Sequence, residues 1–84
     1  MTVRDRVALV TGGGSGLGEA AARVLAREGA KVAVVGRSED ELREVAQSIK
    51  ADGGEAAAVT ADIADPQAVE NAVQQVVERW GRLD

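Results

Sequence analysis

The chain has 84 residues, of which 45% are hydrophobic and 29% are charged, a composition that predicts one small globular domain and excludes a disordered chain. The net charge is −4 without a basic patch, and no apolar run approaches the roughly 20 residues of a membrane span, so neither a nucleic acid nor a membrane is expected as a partner. Cysteine is absent, which excludes disulfides and thiolate metal ligands, so we expect no metal site and a cytoplasmic location.

The apolar pattern predicts three strands that alternate with three helices. In chain order these are a strand over 6–11, a helix over 17–28, a strand over 31–35, a helix over 39–52, a strand over 56–60 and a helix over 66–80. Strands that are apolar along their length imply a parallel sheet covered on both faces. We therefore predict an α/β fold with strands in the order 3-2-1, the first two helices on one face and the third on the other. A fourth strand is only begun at Leu83-Asp84.

Capping residues and apolar rows define the predicted helices. The expected caps are Gly29 and Gly81 as left-handed C-caps, Ser38 with Glu41 as a capping box, and Asp65 before Pro66. The apolar rows at helical spacing are Leu17, Ala20, Ala21, Val24 and Leu25 in the first helix, Leu42, Val45, Ala46 and Ile49 in the second, and Val69, Ala72, Val73, Val76, Val77 and Trp80 in the third. Because Trp80 continues a row, we assign it to the core.

Five of the eight residues in 11–18, "TGGGSGLG", are glycine, and they join the first strand to the first helix. Helix N-termini bind anions, and glycines let a phosphate approach the backbone closely, so this turn predicts a nucleotide pyrophosphate site. A flexible loop, or glycines kept for packing, is the alternative. A Walker A loop is excluded because Glu19 follows Gly18, and GxGxxG/A matches only at 16–21, several residues too late for the turn that leads into the helix. Residues 14–18 also read as GxGxG, which some methyltransferases use.

The spacing Thr11-Gly12-x-x-x-Gly16-x-Gly18 resembles the TGxxxGxG cofactor motif of the short-chain dehydrogenase/reductase family, which has a Rossmann-type fold. "GAKVAVVGR", Asp62-Ile63 and "WGRLD" resemble that family's second strand, the pair after its third strand and the lead-in to its fourth. The resemblance implies pyrophosphate contacts at Gly12, Ser15, Gly16, Leu17 and Gly18, and adenine contacts at Asp62 and Ile63.

The end of the second strand predicts the type of dinucleotide. An acidic residue there would bind the ribose hydroxyls of NAD, whereas an arginine accommodates the 2′-phosphate of NADP. This chain has Gly36 followed by Arg37 and Ser38, so we predict NADP rather than NAD, with Arg37 and Ser38 in the cofactor site. Many NADP-dependent relatives carry a second basic residue in the glycine turn, and Ser15 stands there in this chain.

The family resemblance also implies the reaction. Its catalytic Tyr-x-x-x-Lys motif has no counterpart here, since the chain contains no tyrosine. We therefore expect the N-terminal cofactor-binding part of an NAD(P)-dependent oxidoreductase, truncated before its catalytic residues. The intact parent would transfer hydride between nicotinamide and a carbonyl or alcohol and form a homo-oligomer. The alternatives are a stand-alone nucleotide-binding module, and a methyltransferase cofactor half, which the missing carboxylate at Gly36 disfavours.

Overall fold

A computed structural model of the protein describes residues 5–12 and 16–83. Its elements are β1 (Val7–Thr11), α1 (Gly16–Arg27), β2 (Lys31–Gly36), α2 (Glu39–Ala51), β3 (Glu55–Thr60) and α3 (Pro66–Trp80). The predicted order of strands and helices is confirmed, and each bound differs from the prediction by only one residue or none. The expected start of a fourth strand includes Asp84, which lies outside the described residues. Within the described ranges, no helix is long and apolar enough to cross a membrane.

The three strands form one parallel sheet in the order β1-β2-β3, as predicted. Val7 lies opposite Lys31, and Lys31 lies opposite Glu55, so the strands begin level with one another. The central strand is apolar from Val32 to Val35 because it is covered on both faces there, and these residues are at most 1% exposed.

Side chains that alternate along β2 divide the core into two layers. Val32 and Val34 pack with residues of α1 and α2, including Ala22 and Leu42. Their neighbours on β2, residues 33 and 35, pack instead with α3. The first two helices therefore cover one face of the sheet and the third covers the other, as expected. The α2 row is buried as predicted, and Leu42 alone contributes about 1.5–3 kcal/mol by leaving water.

The helix ends confirm all but one of the predicted caps. The Asp65 carboxylate accepts a hydrogen bond of 3.0 Å from the Gln67 amide, while Gly29 and Gly81 have φ of 95° and 80°. The prediction for Ser38 is wrong in part: its backbone is the N-cap of α2, but its hydroxyl forms no capping hydrogen bond. Acidic side chains at 39–41 stabilise this helix end through the helix dipole instead.

The predicted apolar row of α1 is only partly its buried face. Of this row, Leu25 is half-buried and packs on the core, but Leu17 is 88% exposed and Val24 is 57% exposed, while the fully buried Ala22 lies outside the row. The α1 sequence carries alanine on several sides, so its apolar spacing fits more than one face. The face that packs on β1 and β2 is the one where small side chains allow close approach.

Two contacts fix the helices at the amino ends of the strands. In the first, Arg23 of α1 donates to the Ser48 hydroxyl of α2 at 2.9 Å and also pairs with Glu19 at 2.9 Å. In the second, the Trp80 indole donates to a carboxylate oxygen of Glu55 at 2.7 Å. Trp80 also packs against the hydrophobic cluster under α3. Its assignment to the core is therefore confirmed, although the ring is only partly buried.

Candidate functional site

All three strands end at the same edge of the sheet, and the predicted binding residues follow those ends. Thr11 lies opposite Val35, and Gly36 lies opposite Thr60. The backbone continues the ladder one residue further, because the amide of Ala61 donates to the Gly36 carbonyl at 2.8 Å. The glycine turn after β1, residues 36–38 after β2 and the loop after β3 are therefore neighbours. Such an edge is the usual ligand site of an open α/β sheet.

The two described glycines that flank residues 13–15 have a backbone conformation that favours glycine. Gly12 and Gly16 have φ of 67° and 43°, in the region that favours glycine, and a Cβ on either would meet no atom within 4 Å. The Gly12 amide is not available to an anion, because it donates to the Val35 carbonyl at 2.8 Å. Gly12 thus extends the ladder of β1 with β2, while the first amides of α1, from Gly16 onward, have no carbonyl partner within the helix. Ser15 lies outside the described residues.

An open groove of about 690 Å³ runs beside this turn. Its walls come from the end of β1, the glycine turn and the first residues of α1, and they are Leu9, Val10, Thr11, Gly12, Gly16, Leu17, Gly18 and Ala21. Four of the predicted cofactor residues therefore line one groove. The exposed side chain of Leu17 gives this groove an apolar wall next to the polar start of the helix.

Residues 36–38 lie at the end of β2 and include one cationic side chain, that of Arg37. Arg37 is exposed and forms no ion pair or hydrogen bond with any described residue, so it does not pair with Asp40 or Glu41. The Ser38 hydroxyl is likewise free of a capping bond. A Cβ on Gly36 would make only an ordinary contact, 3.5 Å from Leu42 Cδ2, so this position has room for a side chain.

The loop after β3 is held in shape by Asp62. Its Oδ1 accepts a hydrogen bond of 3.0 Å from the Ala64 amide, and its carbonyl accepts one of 3.0 Å from the Asp65 amide. This turn presents Ile63, which is 55% exposed, at the same edge as Arg37. The local role of Asp62 was missed from the sequence, although an aspartate that bonds the backbone two residues on is a common turn signal.

A second cavity, of about 30 Å³, lies between α1 and α2 at the opposite end of the molecule. Arg23, Arg27 and Asp52 line it together with apolar atoms of Ile49. This volume holds little more than one water molecule, so the cavity is not a cofactor site. The edge at the carboxyl ends of the strands is the better candidate.

Comparison with known proteins agrees with this geometry. The family model for short chain dehydrogenase matches residues 6–84. The chain is 42% identical to a short-chain dehydrogenase/reductase homolog, YusS, from Bacillus subtilis, over all of this chain and 78% of that protein. It is 45% identical to an A-factor type gamma-butyrolactone 1′-reductase from Streptomyces virginiae, over 95% of this chain and 31% of the reductase.

Among solved structures, the chain resembles L-sorbose reductase from Gluconobacter frateurii complexed with NADPH and L-sorbose. The TM-score is 0.94 at 38% identity, and the match covers 100% of this chain and 32% of the reductase. The chain thus spans about a third of the length of many relatives that it matches. On the family match over residues 6–84, together with the glycine turn and the parallel sheet, this chain belongs to the short-chain dehydrogenase family.

Proposed function

We propose that the chain is the cofactor-binding part of an NADP-dependent oxidoreductase that interconverts a carbonyl and an alcohol. The observation that carries this proposal is the meeting of two features at one sheet edge. One is a glycine turn that leads into a helix N-terminus, and the other is an arginine without a partner among the described residues. The first suits the diphosphate of a dinucleotide, and the second suits a 2′-phosphate.

The glycine turn fits a diphosphate because it leaves space where side chains would stand. A Cβ on Gly12 or Gly16 would point into open space, the room that a phosphate needs beside the backbone. The first amides of α1, from Gly16 through Gly18, would then donate to phosphate oxygens. Contacts of the adenine with Asp62 and Ile63 stay a prediction, supported by the exposure of both residues at this edge.

Arg37 favours NADP over NAD. Its guanidinium carries a full positive charge that no carboxylate in the described part of the chain neutralises. A phosphate can take charge-assisted hydrogen bonds from it and from the Ser38 hydroxyl. The related L-sorbose reductase structure contains NADPH, which is consistent with the same cofactor here.

The cofactor and the protein have separate roles in the proposed reaction. Bound NADP(H) supplies the hydride, whereas the residues described above bind and orient the dinucleotide. The chain contains no tyrosine, so it has no counterpart of the catalytic tyrosine that the family resemblance implies for proton transfer to the carbonyl oxygen. The small-molecule substrate and homo-oligomeric assembly stay predictions from the family resemblance.

Removal of the Arg37 charge tests the proposal. Arg37→Ala should weaken NADP+ binding about 10- to 150-fold, because a charge-assisted hydrogen bond contributes about 1.5–3 kcal/mol, and should leave NAD+ binding unchanged. Arg27→Ala, at the far end of α1, changes the net charge equally and is the control. Dissociation constants are measured by calorimetry for both cofactors. Absence of binding of either dinucleotide, or equal losses in both variants, contradicts the proposal.

A further inference from the structure

The contact between α1 and α2 fixes which side of α2 faces the cofactor edge. The Arg23 guanidinium of α1 donates to the Ser48 hydroxyl at 2.9 Å, so the side of α2 that carries Ser48 faces α1. Seven residues make almost two turns of an α-helix. Glu41 therefore lies on the same side as Ser48, about 10 Å closer to the carboxyl edge of the sheet.

Glu41 differs from its acidic neighbour Glu39 in position and in partner. Glu39 lies about 200° away from it around the helix axis and pairs with Arg43 at 2.9 Å. Glu41 is exposed and has no ion pair with any described residue. A negative charge without an ion-pair partner among the described residues thus stands in the first turn of α2, on the side toward α1 and its glycine turn.

This charge opposes the charge of Arg37 at the same end of the helix. The segment from Arg37 to Glu44 carries two arginines and four carboxylates, namely Glu39, Asp40, Glu41 and Glu44. A 2′-phosphate would be attracted by Arg37 and repelled by Glu41. Coulomb energies between exposed charges several ångströms apart are small but measurable.

We infer that Glu41 is a specificity-determining residue that limits the preference for NADP over NAD. The inference rests on the proposed function, since it assumes that the 2′-phosphate lies at Arg37. NAD has no 2′-phosphate, so the charge of Glu41 affects its binding much less. The residue therefore changes the ratio of the two affinities more than it changes the binding of the common part of the dinucleotide.

Glu41→Gln tests this inference against Glu39→Gln, which changes the net charge by the same amount on the other side of α2. At low salt, Glu41→Gln should tighten NADP+ binding about two- to fivefold relative to NAD+, which corresponds to unit charges roughly 4–10 Å apart in water. Glu39→Gln should change the ratio by less. The gain of Glu41→Gln should nearly vanish at about 0.5 M salt, where the screening length is about 4 Å.

The results of these titrations test the proposed function and the role of Glu41 separately. If wild-type protein binds neither dinucleotide, the proposed function fails. If NADP+ binds and depends on Arg37, but Glu41→Gln and Glu39→Gln shift the ratio equally or not at all, the proposed function stands and the role of Glu41 is refuted. Thermal unfolding of both variants checks that each is folded as the wild type is.

Discussion

Gly54 occupies a position at the start of β3 where the protein has no room for a β-carbon. In Gly54→Ala, the new Cβ would lie 2.8 Å from Ile49 Cγ2 and 3.2 Å from the Ile49 carbonyl oxygen. Carbon atoms pack best at about 3.5–4.0 Å. Ile49 is only 3% exposed and belongs to the main core cluster, so it cannot turn away into solvent. The end of α2 or the start of β3 must shift.

The expected cost follows from this overlap. One extra methyl group in a packed core typically costs about 1–3 kcal/mol. Replacing glycine by alanine gains about 0.4–1 kcal/mol through the unfolded chain where φ is acceptable, and the φ of Gly54 lies outside the region that excludes alanine. We expect a net loss of about 0–2.6 kcal/mol in the free energy of unfolding. For a domain of this size, the melting temperature falls by up to about 20 °C.

Urea unfolding followed by circular dichroism measures this loss, and two further variants isolate its cause. Gly36→Ala is the matched control, since its Cβ would lie 3.5 Å from Leu42 Cδ2, an ordinary contact. Ile49→Leu removes the methyl group that the new β-carbon at position 54 would strike, so Gly54→Ala should cost less in that background. If Gly54→Ala is as stable as Gly36→Ala, or if Ile49→Leu gives no relief, the packing argument is refuted.

Three other substitutions test the cofactor edge and the helix caps. Gly36→Asp should shift the affinity ratio at least about tenfold from NADP+ toward NAD+. The new carboxylate would accept hydrogen bonds from the ribose hydroxyls of NAD and repel the 2′-phosphate of NADP. An unchanged ratio in titrations with both cofactors would exclude this role. Asp65→Ala should destabilise the protein by about 0.5–2 kcal/mol in urea unfolding, since it removes the bond to the Gln67 amide. Ser38→Ala should cost clearly less, because the Ser38 hydroxyl forms no capping bond; equal losses would contradict the difference between the two caps.

The sequence predicts the fold well because its strongest signals act along the backbone. The run Val32–Val35 can be buried on both sides only in a central parallel strand, and this is where the structure has it. Pro66 and Gly81 restrict or permit particular φ values, so they mark the ends of α3 reliably. These signals need no knowledge of tertiary packing.

Predictions that depend on side-chain partners were less successful. Alanine-rich α1 has apolar residues on several sides, so spacing alone could not identify Ala22 as its buried centre. The Ser38 hydroxyl could cap α2 in principle, but three carboxylates already stabilise that helix end. The Gly12 amide illustrates the same limit, since only the register of β1 with β2 shows that it bonds the Val35 carbonyl.

The two ends of the sheet have different roles, so substitutions at the two ends should change different properties of the protein. Contacts that hold the helices to the strands, such as Arg23 with Ser48 and Trp80 with Glu55, lie toward the amino ends. The cofactor edge lies beyond the carboxyl ends, roughly 17–20 Å away along strands of five or six residues. Groups so far apart contribute additively when they share no partners. Stability and cofactor choice can therefore be altered largely independently, by Gly54 at one end and by Gly36 at the other, because a Cβ at Gly54 would meet Ile49 and Ala26 whereas a Cβ at Gly36 would meet Leu42.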